Sequence, residues 1–380
     1  MPPKVLSIFG TRPEAIKLAP VIRALRAAPQ EFESRVCVTG QHRELLDQVL
    51  RLFDLRPHHD LKVMQPDQSL PELTARLLTS LAPVLARERP DWVLIQGDTT
   101  TTLCAALAAY YQRLPVAHVE AGLRSHNPWH PYPEEFNRRL ADALSTLHLA
   151  PTEGARRNLL AEGISHERIR VTGNTVIDAL LEIAARPFDF SRSPLNGLPL
   201  DSRRIVLVTT HRRESFGAPL RGLCRAVRRL AERYPNDVQV VFPVHLNPNV
   251  QKPAREELGG AANVALVAPL AYEPLVHLMK RATLILTDSG GLQEEAPSLG
   301  VPVLVLREVT ERPEGIEAGA ARVVGTNPDV IVAAAVRLLD DPDEHRRMAQ
   351  VRNPYGDGKA SGRILEALRT FSAALLPPRG

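Results

Sequence analysis

The sequence predicts an α/β protein of two domains, each built on a parallel sheet. Three observations lead there. Short apolar runs alternate with helical patterns along the whole chain. Most runs are apolar throughout, as strands covered on both faces are. The 380 residues also exceed one ordinary core, at roughly 100–200 residues per domain.

The first half carries strand-like runs at 4–10, 34–40, 91–98, 114–122, 146–152 and 168–174. The second carries them at 204–211, 238–245, 265–270, 282–291, 301–307 and 321–326. Helical periodicity occupies 15–27, 70–88, 134–143, 220–233 and 329–339 between them. The stretch 186–199 is rich in Pro and Ser and lacks periodicity, so the break between domains is expected near 174–200. The domains expected are 1–174 and 200–360, with a terminal helix, 361–380, packing back on the first.

Composition narrows the function classes. A net charge of +4, with no basic block interleaved with aromatics, argues against nucleic acid as a partner. No apolar run reaches the ~18 residues of a membrane span. The N-terminus enters a strand directly after Lys4 without a signal peptide, so a cytoplasmic location is expected. Cys37, Cys104 and Cys224 lie far apart in apolar runs and are expected to be buried free thiols.

Polar clusters stand at the carboxyl ends of the expected strands, the edge where open α/β sheets bind ligands. Phe9-Gly10-Thr11-Arg12-Pro13-Glu14 begins a helix with a tight turn, and Arg12 and Lys17 add charge at an end that favours anions. The dinucleotide pattern G-x-G-x-x-G is absent there. Asp98, after Gln96-Gly97, is either a functional carboxylate or the cap of the next helix. Glu120 ends another strand, where a buried carboxylate needs a partner or a use. Glu134 and Glu135 follow Pro133 in a first helical turn, and Arg138 stands one turn beyond Glu134, at ion-pair spacing.

The second half repeats the theme. His211 with Arg212 and Arg213 suits a diphosphate, and Ser289-Gly290-Gly291 exposes backbone amides at a helix start. Glu295 stands one turn on, placed for ribose hydroxyls, and Arg312 follows the next strand. Together the clusters describe two facing domains, carboxylates on one and nucleotide-binding groups on the other, a coherent sugar-nucleotide site.

The ordered segments FGTRPEAIKLAP, QGDTTT, HVEAGLR, PEEFNR, HRRESFG, TDSGGLQEEAPSLG and ERPE closely resemble the non-hydrolysing UDP-N-acetylglucosamine 2-epimerases, over about residues 4–370. The resemblance implies the GT-B fold, in which two Rossmann-like domains with parallel sheets face each other across a cleft. It implies a homodimer, neither metal nor nicotinamide cofactor, and UDP-GlcNAc, UDP-ManNAc and UDP as ligands. The implied reaction inverts carbon 2 by eliminating UDP to 2-acetamidoglucal and adding it back, with the domains hinging shut over the intermediate. Asp98, Glu120 and Glu134 match the family's catalytic carboxylates, and His211, Arg12, Lys17 and Arg138 match the reaction centre and diphosphate site. Ser289, Gly290, Gly291, Glu295 and Arg312 match the UDP contacts. Gln41, His42, Arg43 and Gln68 match an allosteric site for a second UDP-GlcNAc. Leu270 and Leu275 depart from the Gln and Phe of some members, which leaves uracil stacking open. A hydrolysing epimerase releasing ManNAc and UDP, a GT-B glycosyltransferase and a non-catalytic nucleotide-sugar sensor stand as alternatives.

Overall fold

A computed structural model describes residues 1–40, 43–65, 67–212 and 215–375, with the backbone alone at 43–45 and 373–375. Chain contacts divide into two compact units, Met1–Ala179 with Gly356–Gly380, and Leu180–Tyr355.

The first unit holds seven strands: β1 Lys4–Phe9, β2 Glu33–Val38, β3 His59–Asp60, β4 Trp92–Gln96, β5 Val116–Val119, β6 Leu147–Ala150 and β7 Ile169–Val171. They pair in the order β3-β2-β1-β4-β5-β6-β7, every pair parallel. Leu6, Ile8, Val93 and Ile95 are fully buried in one face of this sheet. Helix Leu70–Glu88 supplies Leu73, Leu77 and Leu81, the i, i+4, i+8 stripe its sequence shows. Helix Thr100–Tyr111 offers mostly small residues, Cys104, Ala105, Ala106, Ala108 and Ala109, so it sits close between its neighbours. The terminal helix, Ala360–Leu375, packs on helix Arg12–Ala27 of this unit. Asp178 accepts the Ala360 and Ser361 amides at 3.1 and 2.8 Å, which satisfies two of that helix's orphan donors.

The second unit repeats the plan with β8 Arg204–Thr209, β9 Val238–Pro243, β10 Val264–Val267, β11 Ala282–Thr287, β12 Val303–Val305 and β13 Ala321–Val323. The order is β10-β9-β8-β11-β12-β13, again all parallel. Helix Ala218–Arg233 lays Leu220, Leu223, Val227 and Leu230 on Val206, Val208 and Leu286. The two units together are the GT-B pair of parallel-sheet folds the sequence suggests.

Every expected strand is present, and β3 is an addition. It has two residues, paired as Cys37↔His59 and Val38↔Asp60. All three cysteines are free and buried, and burial pushes their thiols up to about 12. Among the described residues no helix is long and apolar enough to cross a membrane.

In both sheets the strand order reverses once, between β1 and β4 and between β8 and β11. Loops diverge at such a switch point and leave a crevice at the carboxyl edge. The expected polar clusters leave those strands and their neighbours.

Candidate active site

In the first unit the site starts at the β1 turn. Gly10 is required by close approach, because a Cβ there would stand 2.2 Å from Thr39 Oγ1 and 2.6 Å from Thr101 Oγ1. Glu14 folds back to accept the Gly10 and Thr11 amides at 3.0 and 2.7 Å, and the Thr99 and Thr102 hydroxyls at 2.7 and 3.1 Å. Burial still raises its pKa against those bonds. One carboxylate thus completes a capping box with Thr11 and ties the β1 loop to the β4 loop; the Thr-x-x-Glu spacing discloses the cap but not the tie. Arg12 beside it has its pKa lowered by burial. No ion pair or hydrogen bond reaches its guanidinium among the described residues, the state of a cation suited to an external anion.

Glu120 follows β5 with φ +66°, left-handed backbone that a non-glycine residue adopts at a cost of about 1–2 kcal/mol. Lys17 Nζ donates to both of its oxygens at 2.6 Å. Gln96, the last residue of β4, donates to Oε2, and Asn174 donates to Oε1 at 3.4 Å. The carboxylate is therefore buried, paired and aimed. Gln96 and Asn174 are missing from the sequence-derived set. Their signal was a polar residue at or just past a strand end, which Gln96 shared with Asp98.

Asp98 is not the helix cap. Thr99 takes that role, accepting the Thr102 amide at 3.2 Å, and Asp98 is left for Arg138 Nη2 at 2.5 Å. Arg138 also approaches Glu135 at 3.5 Å, so the spacing-based pair with Glu134 does not form. Glu135 is fully buried and accepts the Ser125 amide at 2.9 Å. Glu134 has its pKa raised, first by burial and then by the nearby Asp98 charge. A carboxyl moved toward neutrality is suited to moving a proton.

In the second unit Asp288 organises the β8 loop. It is fully buried after β11 and accepts from the Thr210 hydroxyl (2.7 Å), the His211 and Arg212 amides (3.0 and 3.1 Å) and the Ser215 hydroxyl (3.2 Å). The His211 ring stands 3.2 Å from its other oxygen. Burial alone would raise the Asp288 pKa, yet the His211 and Thr210 bonds hold it down at about 2. His211 itself is about half exposed, its side chain at 47%, and so can reach a ligand. Asp288 lay in a segment the sequence singled out, but its neighbours Ser289 to Gly291 drew the reading.

Ser289, Gly290 and Gly291 open the helix Gly290–Glu295, where first-turn amides have no partner inside the helix. Arg312 and Arg212 flank it, 3.6 and 3.9 Å from where a Gly290 Cβ would stand. Arg312 is anchored by Glu294, and Arg212 by Glu311 at 3.4 Å. Glu311 is itself held at about 2, against burial, by Arg307 and those cations. Glu295 accepts from the buried Tyr272 hydroxyl at 2.8 Å.

The other expected residues are placed less fully. Gln41 and His42 lie outside the described residues, and Arg43 begins the helix Arg43–Leu52 with no side-chain description. Gln68 accepts the Gln65 amide at 2.8 Å. Hollows of about 490 and 520 Å³ lie at Arg89–Asp91 and Tyr110–Pro115, at the amino edge of the sheet, away from these carboxylates.

The family sequence model described as UDP-N-acetylglucosamine 2-epimerase matches residues 23–369. A Salmonella typhimurium protein of that name is 54% identical over 98% of this chain and 100% of its own length. The structure of a Neisseria meningitidis UDP-GlcNAc 2-epimerase bound to UDP-GlcNAc is similar at a TM-score of 0.88, with 47% identity over 97% of this chain and 100% of that one. That of a Methanocaldococcus jannaschii enzyme in complex with UDP-GlcNAc and UDP has a TM-score of 0.80, with 35% identity over 97% and 99%. The chain belongs to the UDP-N-acetylglucosamine 2-epimerase family.

Proposed function

We propose that the protein interconverts UDP-GlcNAc and UDP-ManNAc without hydrolysis. A carboxylate takes the proton from carbon 2, the C1–O bond breaks, and UDP departs with its electron pair, leaving a C1=C2 double bond in 2-acetamidoglucal. UDP then adds back to carbon 1 while a carboxylic acid protonates carbon 2 on the opposite face. Asp98, Glu120 and Glu134 share these proton transfers, because the step needs a base and an acid on opposite faces. Arg12, Lys17, Arg138 and His211 stabilise the charge that develops on the leaving diphosphate and orient the carboxylates. Ser289, Gly290, Gly291, Arg312 and Glu295 hold the uridine diphosphate.

The observation that carries this reading is the buried Glu120 carboxylate, gripped by Lys17 at 2.6 Å on both oxygens, one strand from Asp98. Such an arrangement suits proton transfer at carbon more than sugar transfer to an acceptor. By the same resemblance the protein is a cytoplasmic homodimer, with Gln41, His42, Arg43 and Gln68 receiving a second UDP-GlcNAc. The decisive experiment follows UDP-GlcNAc in deuterated water by NMR. Deuterium entering carbon 2 of both UDP-sugars is expected. Accumulation of free ManNAc, or turnover with no deuterium at carbon 2, would refute it.

A further inference from the structure

Beneath the Asp98 and Glu120 loops lies a buried polar cluster that the reaction above does not use. Asp142, on helix Glu134–Leu144, is 1% exposed. His118, the third residue of β5, is fully buried and donates from Nδ1 to Asp142 Oδ1 at 2.7 Å. Its Nε2 stands 2.8 Å from the Gly97 carbonyl oxygen, immediately before Asp98. The other Asp142 oxygen accepts the Gly122 amide at 3.2 Å, two residues after Glu120. The same oxygen accepts from Arg124 Nη2 at 2.8 Å, and Arg124 extends outward to Glu162 at 2.6 and 2.8 Å.

The Glu120 loop needs such a hold, because Glu120, a non-glycine residue, has φ +66°. Residues in sparsely populated backbone persist only where their surroundings over-determine them. Gly122 packs closely on the helix beside it, since a Cβ there would stand 2.3 Å from the Ala155 carbonyl oxygen and only glycine fits.

We propose that Asp142 is a positioning residue that fixes the Asp98 and Glu120 carboxylates relative to each other. It holds the Gly97 carbonyl through the His118 ring and the Gly122 amide directly. The inference rests on the reading of Asp98 and Glu120 as catalytic carboxylates.

Asp142→Asn keeps the shape but turns a donor toward one of three donors: His118, Gly122 or Arg124. One misaligned loop is enough, since a displacement near 1 Å of a reacting group lowers turnover by up to about 100-fold. Expected in D142N are a 10- to 100-fold fall in kcat, by order of magnitude, with KM for UDP-GlcNAc nearly unchanged. More 2-acetamidoglucal should be released per turnover. His118→Gln, which leaves Asp142 on Arg124 and Gly122, should show the same split and serves if D142N fails to fold. Glu162→Gln weakens the outer end of the network without touching either loop, so kcat should hold within twofold, about the limit of a surface effect. Equal kcat losses in E162Q and D142N, tracking Tm, would overturn the proposal in favour of general stability. Wild-type kcat in D142N or in folded H118Q would overturn it alone, provided that Glu120→Gln abolishes turnover. Full turnover in E120Q would overturn the catalytic reading, and this inference with it.

Discussion

Replacing Asp288 by Asn tests whether one buried carboxylate builds the β8 loop. The carboxylate is fully buried and its pKa is held at about 2 against an ordinary 3.8. A difference of nearly two units corresponds to about 2 kcal/mol, at 1.36 kcal/mol per unit. Because the folded value is depressed, that stabilisation is complete well above 3.8 and is lost as pH falls through about 2. About half of it is gone by pH 3 on the same linkage. In D288N the amide nitrogen must face either the four donors on one oxygen, from Thr210, His211, Arg212 and Ser215, or the His211 amide and ring on the other. A mismatch of this kind adds about 1–3 kcal/mol that does not vary with pH.

The gap between wild type and D288N should therefore be about 3–5 kcal/mol at pH 7 and shrink by about 1 kcal/mol at pH 3. Urea unfolding at pH 7, 5, 4 and 3 reads it directly, and the second unit's transition should be the one that moves. UDP affinity should fall about tenfold or more, because His211 and Arg212 lose their backbone anchor. A gap that stays constant, or grows, as the pH drops would refute the reasoning. So would an unchanged UDP affinity.

Three further outcomes are expected. Lys17→Met strips the ammonium from a buried carboxylate, so it should lower stability by about 3 kcal/mol and kcat by at least about tenfold; wild-type Tm and kcat would contradict the pairing. Cys37, Cys104 and Cys224, buried with thiols pushed up to about 12, should stay unlabelled by Ellman's reagent until the protein unfolds, and fast native labelling would argue otherwise. Pure UDP-ManNAc should turn over slowly until a trace of UDP-GlcNAc is added, and full-rate reverse reaction without it would count against a second UDP-GlcNAc site.

The fold was legible because a buried parallel strand writes itself as a continuous apolar run. Val206, Leu207 and Val208 need no partner to be recognised. The exception is β3, whose two residues His59 and Asp60 carry no apolar signal and pair only at the end of β2. The candidate site was legible in part for a related reason. A carboxylate ending an apolar strand, as Glu120 does, is conspicuous by its desolvation. Its partners are not, because Lys17 comes from helix Arg12–Ala27 and Asn174 from the loop after β7, and their meeting depends on sheet order. Local spacing misled at Arg138, where the i, i+4 rule favours Glu134 but tertiary structure brings Asp98 to 2.5 Å. Glu14, which looks like an ordinary first-turn acid, in fact ties two loops together.

These omissions share a physical cause. A strand-end loop that must present polar groups to a ligand cannot bury apolar side chains to order itself. Its backbone groups must then be satisfied from below, and one carboxylate oxygen can accept two or more donors at once. Asp288 does this in the second unit, taking amides and hydroxyls from four residues of one loop. Asp142 does it in the first, reaching one loop directly and the other through His118. Both carboxylates are buried with lowered pKa values, so each remains charged where desolvation alone would neutralise it. If ordering the loop were incidental, an apolar residue of similar volume could replace either acid and spare its desolvation. It could not supply the acceptors that the His211, Arg212 and Gly122 amides use, and that is why the acid is needed under each loop.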